Sequence, residues 1–360
     1  MTTLDASTQS RRAQVIGLGL MGGSVAKALR TLGWHVSGSD HDQTRGELGL
    51  KLGIIDHAGV DTTAELCVIC TPVSTVAEIA HWWCTHTQAV VTDVGSVKAR
   101  ISAEVQHRRF VGGHPMAGSE LHGLEGSDAE MFHGAVWVLT PSAATSGESL
   151  ALVHTVVAQL GAEVITIDPV EHDRIVAMIS HVPHLTAGAL MSLAAHRAED
   201  HSALLRMAAG GFRDMTRIAA GDSAIWPDIC AENSSAIVDV LVSLIDELET
   251  LRALVATQSR SAIQARLEVA REARLNLPSS VPAPEALAEV RIPVPDRPGV
   301  LAEITLLATQ QAVNIYDIEI AHSSEGTSGV VIVVVDAAKV NRLRVNLTEA
   351  GYASSARELS

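Results

Sequence analysis

The chain has 360 residues, enough for two or three domains, and 47 % of them are hydrophobic, which supplies a real core and argues against disorder. Its 26 Lys and Arg stand against 41 Asp and Glu, a formal charge of −15 that disfavours a nucleic-acid groove or an anionic membrane surface, both of which reward clustered positive charge. Aromatic residues are only 3 %, so the core is expected to be aliphatic, and four cysteines are too few for a disulfide scaffold.

The opening MTTLDASTQSRRAQ has no apolar signal-peptide centre and no 18-residue apolar run is expected later, so the default is a soluble, cytoplasmic protein. From Ala13 to Asp168 the runs AQVIGLG, HVSGSD, LCVICTP, AVVTDVGS, FVGGHP, VWVLTP and AEVITID predict buried strands, with helix-length segments such as GGSVAKALRTLG and TVAEIAHWWCTHT between them. That alternation predicts a parallel sheet with helices on both faces. Cys67 and Cys70 lie three apart in a strand and so point to opposite faces, which suits core packing rather than a redox pair. Trp82 and Trp83 are expected to cover the sheet from a helix, and most of the 16 histidines to be scattered on polar faces.

From Pro169 to Leu277 the apolar spacing is helical almost throughout, and ENSSAIVDVLVSLIDELETLRALVATQ predicts a long helix suited to packing on a partner subunit. His181 and His184 are three apart and would share a helix face, but Pro183 between them predicts a helix start or kink, and no third ligand stands out for a metal. The segment NLPSSVPAPEA reads as a linker. Beyond it EVRIPVP, DRPGVLAEITLLATQQA (with Pro298 in its first turn), VNIYDIEIAH, GVVIVVVD, KVNRLRVNLTEAG and YASSAREL give the order βαββαβ. The expected division is 1–168, 169–277, a linker at 278–287, and 288–360.

Two patterns carry chemistry. Gly17-Leu18-Gly19-Leu20-Met21-Gly22 follows a strand and opens a helix, the setting in which such glycines cradle a pyrophosphate. Asp40 ends the next strand, where a carboxylate accepts from both ribose hydroxyls and repels a 2′-phosphate; NAD is therefore favoured, with NADP the alternative because Arg45 lies close. Thr71 and Pro72, at the end of LCVICTP, join the expected cofactor set. The second pattern is polar residues at strand ends: Ser96 within DVGSVK, and His114, Ser119 and Glu120 within GGHPMAGSE. A histidine there can take a proton from a hydroxyl while hydride leaves the same carbon. Further on, GGFRDMTR brings Gly210, Asp214 and Arg217, and an arginine in a dry site suits bidentate carboxylate binding or, equally, an ion pair with Asp214.

Taken together, GLGLMGGS, DVGSVK, GGHPMAGSE, SHVPH and GGFRDMTRIAAGD with Trp226 resemble the prephenate/arogenate dehydrogenase family of tyrosine biosynthesis over about residues 13–260. The resemblance implies that His114 accepts the ring 4-hydroxyl proton, that Ser96 orients hydroxyl and histidine, and that His184 and Arg217 hold the substrate's side chain or carboxylates. It places Ser119 and Glu120 at the pocket mouth and lets Trp226 reach the partner subunit's site in a homodimer. From about Ala288 onward the chain resembles an ACT domain, whose effector loop would comprise Asp296, Gly299, Val300, Leu301, Asn314 and Ile315, with tyrosine the natural effector. The implied fold is an α/β Rossmann-type dinucleotide-binding domain, an all-α dimerisation domain and a small ferredoxin-like domain. Prephenate and arogenate differ only in a side-chain keto or amino group, and no residue selects between them. A β-hydroxyacid dehydrogenase shares the layout but uses a G-x-x-x-G-K-type lysine segment that is missing here. A non-catalytic sensor built on the same domains would have no need of His114.

Overall fold

A computed structural model describes residues 10–118, 121–200, 203–277, 286–295, 297–322 and 328–359. The chain divides into two units, Met1–Glu247 and Leu248–Ser360. In the first, the strands are β1 (Arg12–Ile16), β2 (His35–Ser39), β3 (His57–Ala58), β4 (Leu66–Ile69), β5 (Val90–Asp93), β6 (Phe110–Pro115), β7 (Val136–Thr140) and β8 (Glu163–Thr166). They form one sheet in the order β3-β2-β1-β4-β5-β6-β7-β8. The helices α1 (Leu20–Thr31), α2 (Gln43–Lys51), α3 (Val73–His86), α4 (Ala99–Glu104) and α5 (Gly147–Gln159) connect them.

The sheet is not wholly parallel as expected. β7 runs antiparallel to β6, because the described residues between them form turns, and a parallel return would need a crossover helix. β8 then returns parallel to β7 through α5. The two-residue β3 is too short to show any periodicity in the sequence. Strand alternation builds two apolar layers: Leu66 and Val68 of β4 pack with α1 and α5, while Cys67 and Ile69 pack with α3 and α4. Cys70 faces the first layer and Cys67 the second, as the spacing predicts. Trp83 is buried in the second layer. Trp82 instead lies outside, stacked on His86 with ring centroids 4.9 Å apart.

The helices that follow are α6 (Pro169–Val176), α7 (Val182–Asp200), α8 (Gly210–Thr216), α9 (Trp226–Glu232), α10 (Ser234–Ala256) and α11 (Arg260–Leu275). Asp168 caps α6 by accepting from the N–H groups of Val170 and Glu171, at 2.8 and 3.2 Å. Between α6 and α7 the turn Ala177–His181 is π-helical, and Pro183 follows it as the second residue of α7, inside a helical run that continues from Pro169 to Glu199. The run 169–199 contains an 18-residue window apolar enough, by length and composition, to cross a membrane, so the expectation of no such run is corrected. Part of the run packs within the chain, where Ala177 and Val182 are buried with Ile237 of α10, whereas Met178, Ile179 and Leu193 are exposed.

The second unit contains β9 (Leu287–Pro295), α12 (Val300–Gln310), β10 (Ile315–His322), β11 (Ser328–Asp336), α13 (Val340–Glu349) and β12 (Ser355–Glu358). The order βαββαβ is as expected, and the antiparallel sheet runs β10-β11-β9-β12. Val290, Ile292 and Val294 of β9 point into its core. Pro298 is not in the first turn of α12: Gly299, at φ +92°, is the N-cap and Pro298 precedes it.

One buried ion pair fixes the centre of the large sheet. The ammonium of Lys98, fully buried, contacts Asp93 Oδ2 at the end of β5 and donates to the carbonyl of Gly113 in β6 at 2.9 Å. Asp93 also accepts from the N–H groups of Gly95 and Gly113 at 2.9 and 3.1 Å. Burial pulls the Lys98 pKa down and the Asp93 carboxylate opposes it. Substituting Lys98→Met strands a buried carboxylate and is expected to cost roughly 3–5 kcal/mol of stability, with part regained in Asp93→Asn/Lys98→Met. Urea unfolding followed by tryptophan fluorescence measures this, since all five tryptophans lie in the first unit; equal stability of Lys98→Met and wild type would contradict it.

Candidate functional site

The glycine turn lies between β1 and α1, and the ends of β1 and β4 are neighbours in the sheet. Gly17 has φ +91°, a conformation open mainly to glycine. Its N–H donates to Ser39 at 2.8 Å, and a Cβ there would sit 2.6 Å from the Cys70 carbonyl oxygen and 3.0 Å from Thr71 Cγ2. A Cβ on Gly22 would collide with the Gly17 carbonyl. Gly19, the N-cap of α1, has no atom within 4 Å of the corresponding position. Helix N–H groups behind an open glycine face fit an incoming pyrophosphate. Leu20 and Met21 flank that face half-buried, and Leu18 is buried beneath it. Thr71 and Pro72 follow β4, with Pro72 capping α3.

Asp40 directly follows β2, and its side chain is only 2 % exposed. Its Oδ2 accepts from the N–H of Leu18 at 2.7 Å and its Oδ1 from the N–H of Asp42 at 3.0 Å. Arg45 lies 3.4 Å and His41 2.9 Å from the same carboxylate. Asp40 thus ties the glycine turn to β2 and stands between two basic side chains.

His114, in β6, is buried, and its ring packs edge-on to that of His172 with Nδ1 2.8 Å from His172 Nε2. His172 Nδ1 is 2.8 Å from Asp173 Oδ1. Asp173 accepts from the N–H groups of Lys98 and Ala99, each at 2.8 Å, so a carboxylate on α6 caps α4. Asn233 donates to the Asp173 carbonyl at 2.8 Å and to His181 Nδ1 at 3.2 Å. Burial depresses the His114 pKa well below 6.5, and His172, Lys98 and His181 add to this. Burial likewise pulls His181 to about 4. Ser96 lies half-buried in the loop between β5 and α4, the loop that carries Lys98 to Gly113 beside His114.

His184 stacks on Trp226, with centroids 3.7 Å apart and planes 16° from parallel, and burial lowers its pKa. Trp226 therefore contacts a histidine of its own chain. Arg217 opens a 3-10 turn, Arg217–Ala220, packed against α7, which also carries His184. Gly210, Asp214 and Arg217 are exposed. Ser119, Glu120 and Asp296 lie outside the described residues. In the second unit Gly299 caps α12, Val300 is buried behind it, Leu301 is exposed, and Asn314 precedes β10, which Ile315 begins.

Several residues escaped the sequence reading. His172, Asp173 and Asn233 are among them, and together with His181, which the sequence pairs with His184 instead, they form the buried polar cluster beside His114, supported by Lys98 with Asp93, so not all the histidines are scattered on polar faces. The one available signal was the charged run Glu171-His172-Asp173 in the first turn after Asp168-Pro169.

An open glycine cradle after β1 and a buried histidine at the end of β6 in the same sheet, joined to a helical body, define a Rossmann-type oxidoreductase. Family models agree: that of the prephenate dehydrogenase nucleotide-binding domain matches residues 25–166, and that of the prephenate dehydrogenase dimerization domain matches 168–269. The prephenate dehydrogenase of Bacillus subtilis (strain 168) is 33 % identical over 335 residues, covering 87 % of this chain and 89 % of that protein. Among solved structures, prephenate dehydrogenase from A. aeolicus in complex with hydroxyphenyl propionate and NAD+ matches with a TM-score of 0.70 and 31 % identity, covering 76 % of this chain and 100 % of that one. Synechocystis arogenate dehydrogenase matches at 0.64 and 30 %, covering 73 % and 98 %. The chain belongs to the prephenate dehydrogenase family.

The depressed histidines have a consequence for stability. Above pH 6.5 folded and unfolded states are both neutral at His114 and His181. Between pH 6.5 and about 4 the unfolded chain binds protons that the folded His181 refuses, so stability falls with falling pH. Unfolding free energy is expected to be lower at pH 5 than at pH 7.5, and His181→Gln to flatten part of that slope; a flat wild-type profile would contradict it.

Proposed function

We propose that the chain oxidises and decarboxylates prephenate to 4-hydroxyphenylpyruvate in L-tyrosine biosynthesis, with NAD as hydride acceptor. The observation that carries this reading is His114, buried and held neutral at the carboxyl end of β6. Prephenate is a cyclohexadiene with a 4-hydroxyl and a quaternary carboxylate. Loss of hydride from C4 develops a carbonyl, and loss of CO2 from C1 then restores aromaticity. A neutral histidine accepts the hydroxyl proton as the carbonyl forms, and Ser96 orients the hydroxyl against it. Arg217 supplies fixed positive charge for carboxylate placement, and His184, Gly210, Asp214 and Trp226 complete the proposed substrate set, to which the family resemblance adds Ser119 and Glu120. Gly17, Leu18, Gly19, Leu20, Met21 and Gly22, with Asp40, Thr71 and Pro72, hold NAD, which supplies the hydride acceptor when bound.

We divide the chain into a Rossmann domain at 1–168, a helical domain at 169–277, a linker at 278–287 and an ACT domain at 288–360. Homodimerisation through the helices is supported by the dimerization-domain match and by Val238, Val242 and Ile245, an exposed apolar stripe on α10. The left-handed Gly299 at the start of α12 supports an amino-acid carboxylate site there, with tyrosine as effector. The B. subtilis relative matches 87 % of this chain, a share too large to end where the dimerization-domain match ends, so part of this small domain is shared with it. We place the protein in the cytoplasm.

Steady-state reduction of NAD and NADP with prephenate and with arogenate tests the reading. Prephenate with NAD is expected to be the efficient pair; turnover of arogenate alone would reassign the substrate. His114→Asn is expected to lower kcat by about 10²–10⁴-fold with KM for prephenate within a few-fold. Wild-type turnover in that variant would remove His114 from the mechanism.

A further inference from the structure

The line of groups behind His114 determines which of its nitrogens is free to react. Asp173 accepts from two backbone N–H groups, of Lys98 and Ala99, so its oxygens serve as carboxylate acceptors. The hydrogen between His172 Nδ1 and Asp173 Oδ1 therefore belongs to His172. With the His172 hydrogen on Nδ1, its Nε2 is the acceptor in the 2.8 Å contact and His114 Nδ1 the donor. What remains on His114 is the Nε2 lone pair, on the side of the ring away from His172. His172 is fully buried and Asp173 nearly so, so water does not compete for these contacts. Helix α6 is anchored by the Asp168 cap, and α4 is held from below by Asp173 itself, so both ends of the line are fixed to backbone.

We propose that His172 and Asp173 are positioning residues that hold His114 in the Nδ1–H tautomer, leaving Nε2 as the proton acceptor. The proton of the substrate hydroxyl moves to Nε2, the electron pair of that O–H bond becomes the second bond of the new carbonyl, and the hydride leaves to the nicotinamide. The imidazolium so formed keeps its Nδ1–H donated to His172, whose own Nδ1–H is donated to the Asp173 carboxylate. Negative charge two rings away thus stabilises the positive charge that appears on His114 during the reaction. Neither His172 nor Asp173 touches substrate. This inference rests on the assignment of His114 as base and deepens it.

The test compares His172→Leu with His172→Gln in the full-length protein. Leucine removes the acceptor, whereas glutamine offers a carbonyl oxygen to His114 Nδ1–H at similar reach. His172→Leu is expected to lower kcat for prephenate by about 10²-fold or more, with KM for NAD and prephenate within about 3-fold. His172→Gln is expected to recover to within about 10-fold of wild type. Histidine 15N spectra of the free protein at pH 7.5 give a readout independent of turnover. They are expected to show His114, assigned by its loss in His114→Asn, protonated at Nδ1 in wild type and in His172→Gln, and as mixed tautomers in His172→Leu. A His172→Leu variant with kcat within 3-fold of wild type, an equal fall of both variants, or wild-type His114 protonated at Nε2 would each overturn the proposal. If wild type turns over no prephenate, the functional reading fails, and the 15N spectra still decide the tautomer.

Discussion

The Asp173 carboxylate is the contact on which the rest of the site depends. It is nearly buried, and it satisfies the N–H groups of Lys98 and Ala99 at the start of α4 and the Nδ1–H of His172 at once. A buried charge without such partners is costly, and with them it becomes a rigid joint. That joint binds the start of the helical region to the nucleotide-binding sheet, since Asp173 lies in α6 while Lys98 and Ala99 follow β5. The same residue settles the geometry of His114, so stability and reactivity share one cluster of atoms.

A second constraint comes from the glycines before His114. A Cβ on Gly113 would sit 2.6 Å from the Asp93 carbonyl oxygen and 3.0 Å from Trp137 Nε1. β6 can therefore approach β5 closely only with glycine there, and that approach lets Lys98 reach across to the Gly113 carbonyl. The buried Asp93–Lys98 pair places a positive charge near His114, one of the influences that keep its ring neutral. Charge in the core is thus tolerated where it sets the protonation state of a neighbour.

Much of this was legible in the sequence. Strand positions followed from short apolar runs, and FVGGHP coincides with β6, because buried strands bounded by Gly and Pro have few alternatives. The glycine turn was legible because its φ and its close approach to Cys70 and Thr71 admit only glycine. The direction of β7 was not, since apolar runs say nothing of strand polarity when the connecting residues lack a helical pattern. Nor was the polar cluster: His172 and Asp173 lie far along the chain from His114, and in one dimension they look like an ordinary charged helix start. Tertiary packing alone brings them to it. Trp226 was named for a role in a partner's site, and its stacking on His184 became visible only once α7 and α9 were placed.

The central claim is that the base is a neutral histidine whose proton affinity is lowered by burial. The pH dependence of kcat/KM for prephenate reports the free enzyme's ionisations directly. The expected acid limb falls at a pH clearly below 6.5, the ordinary histidine value, and its group is lost in His114→Asn. An acid limb at 6.5 or above would contradict the claim, because it would describe a solvated histidine instead of the buried one in β6.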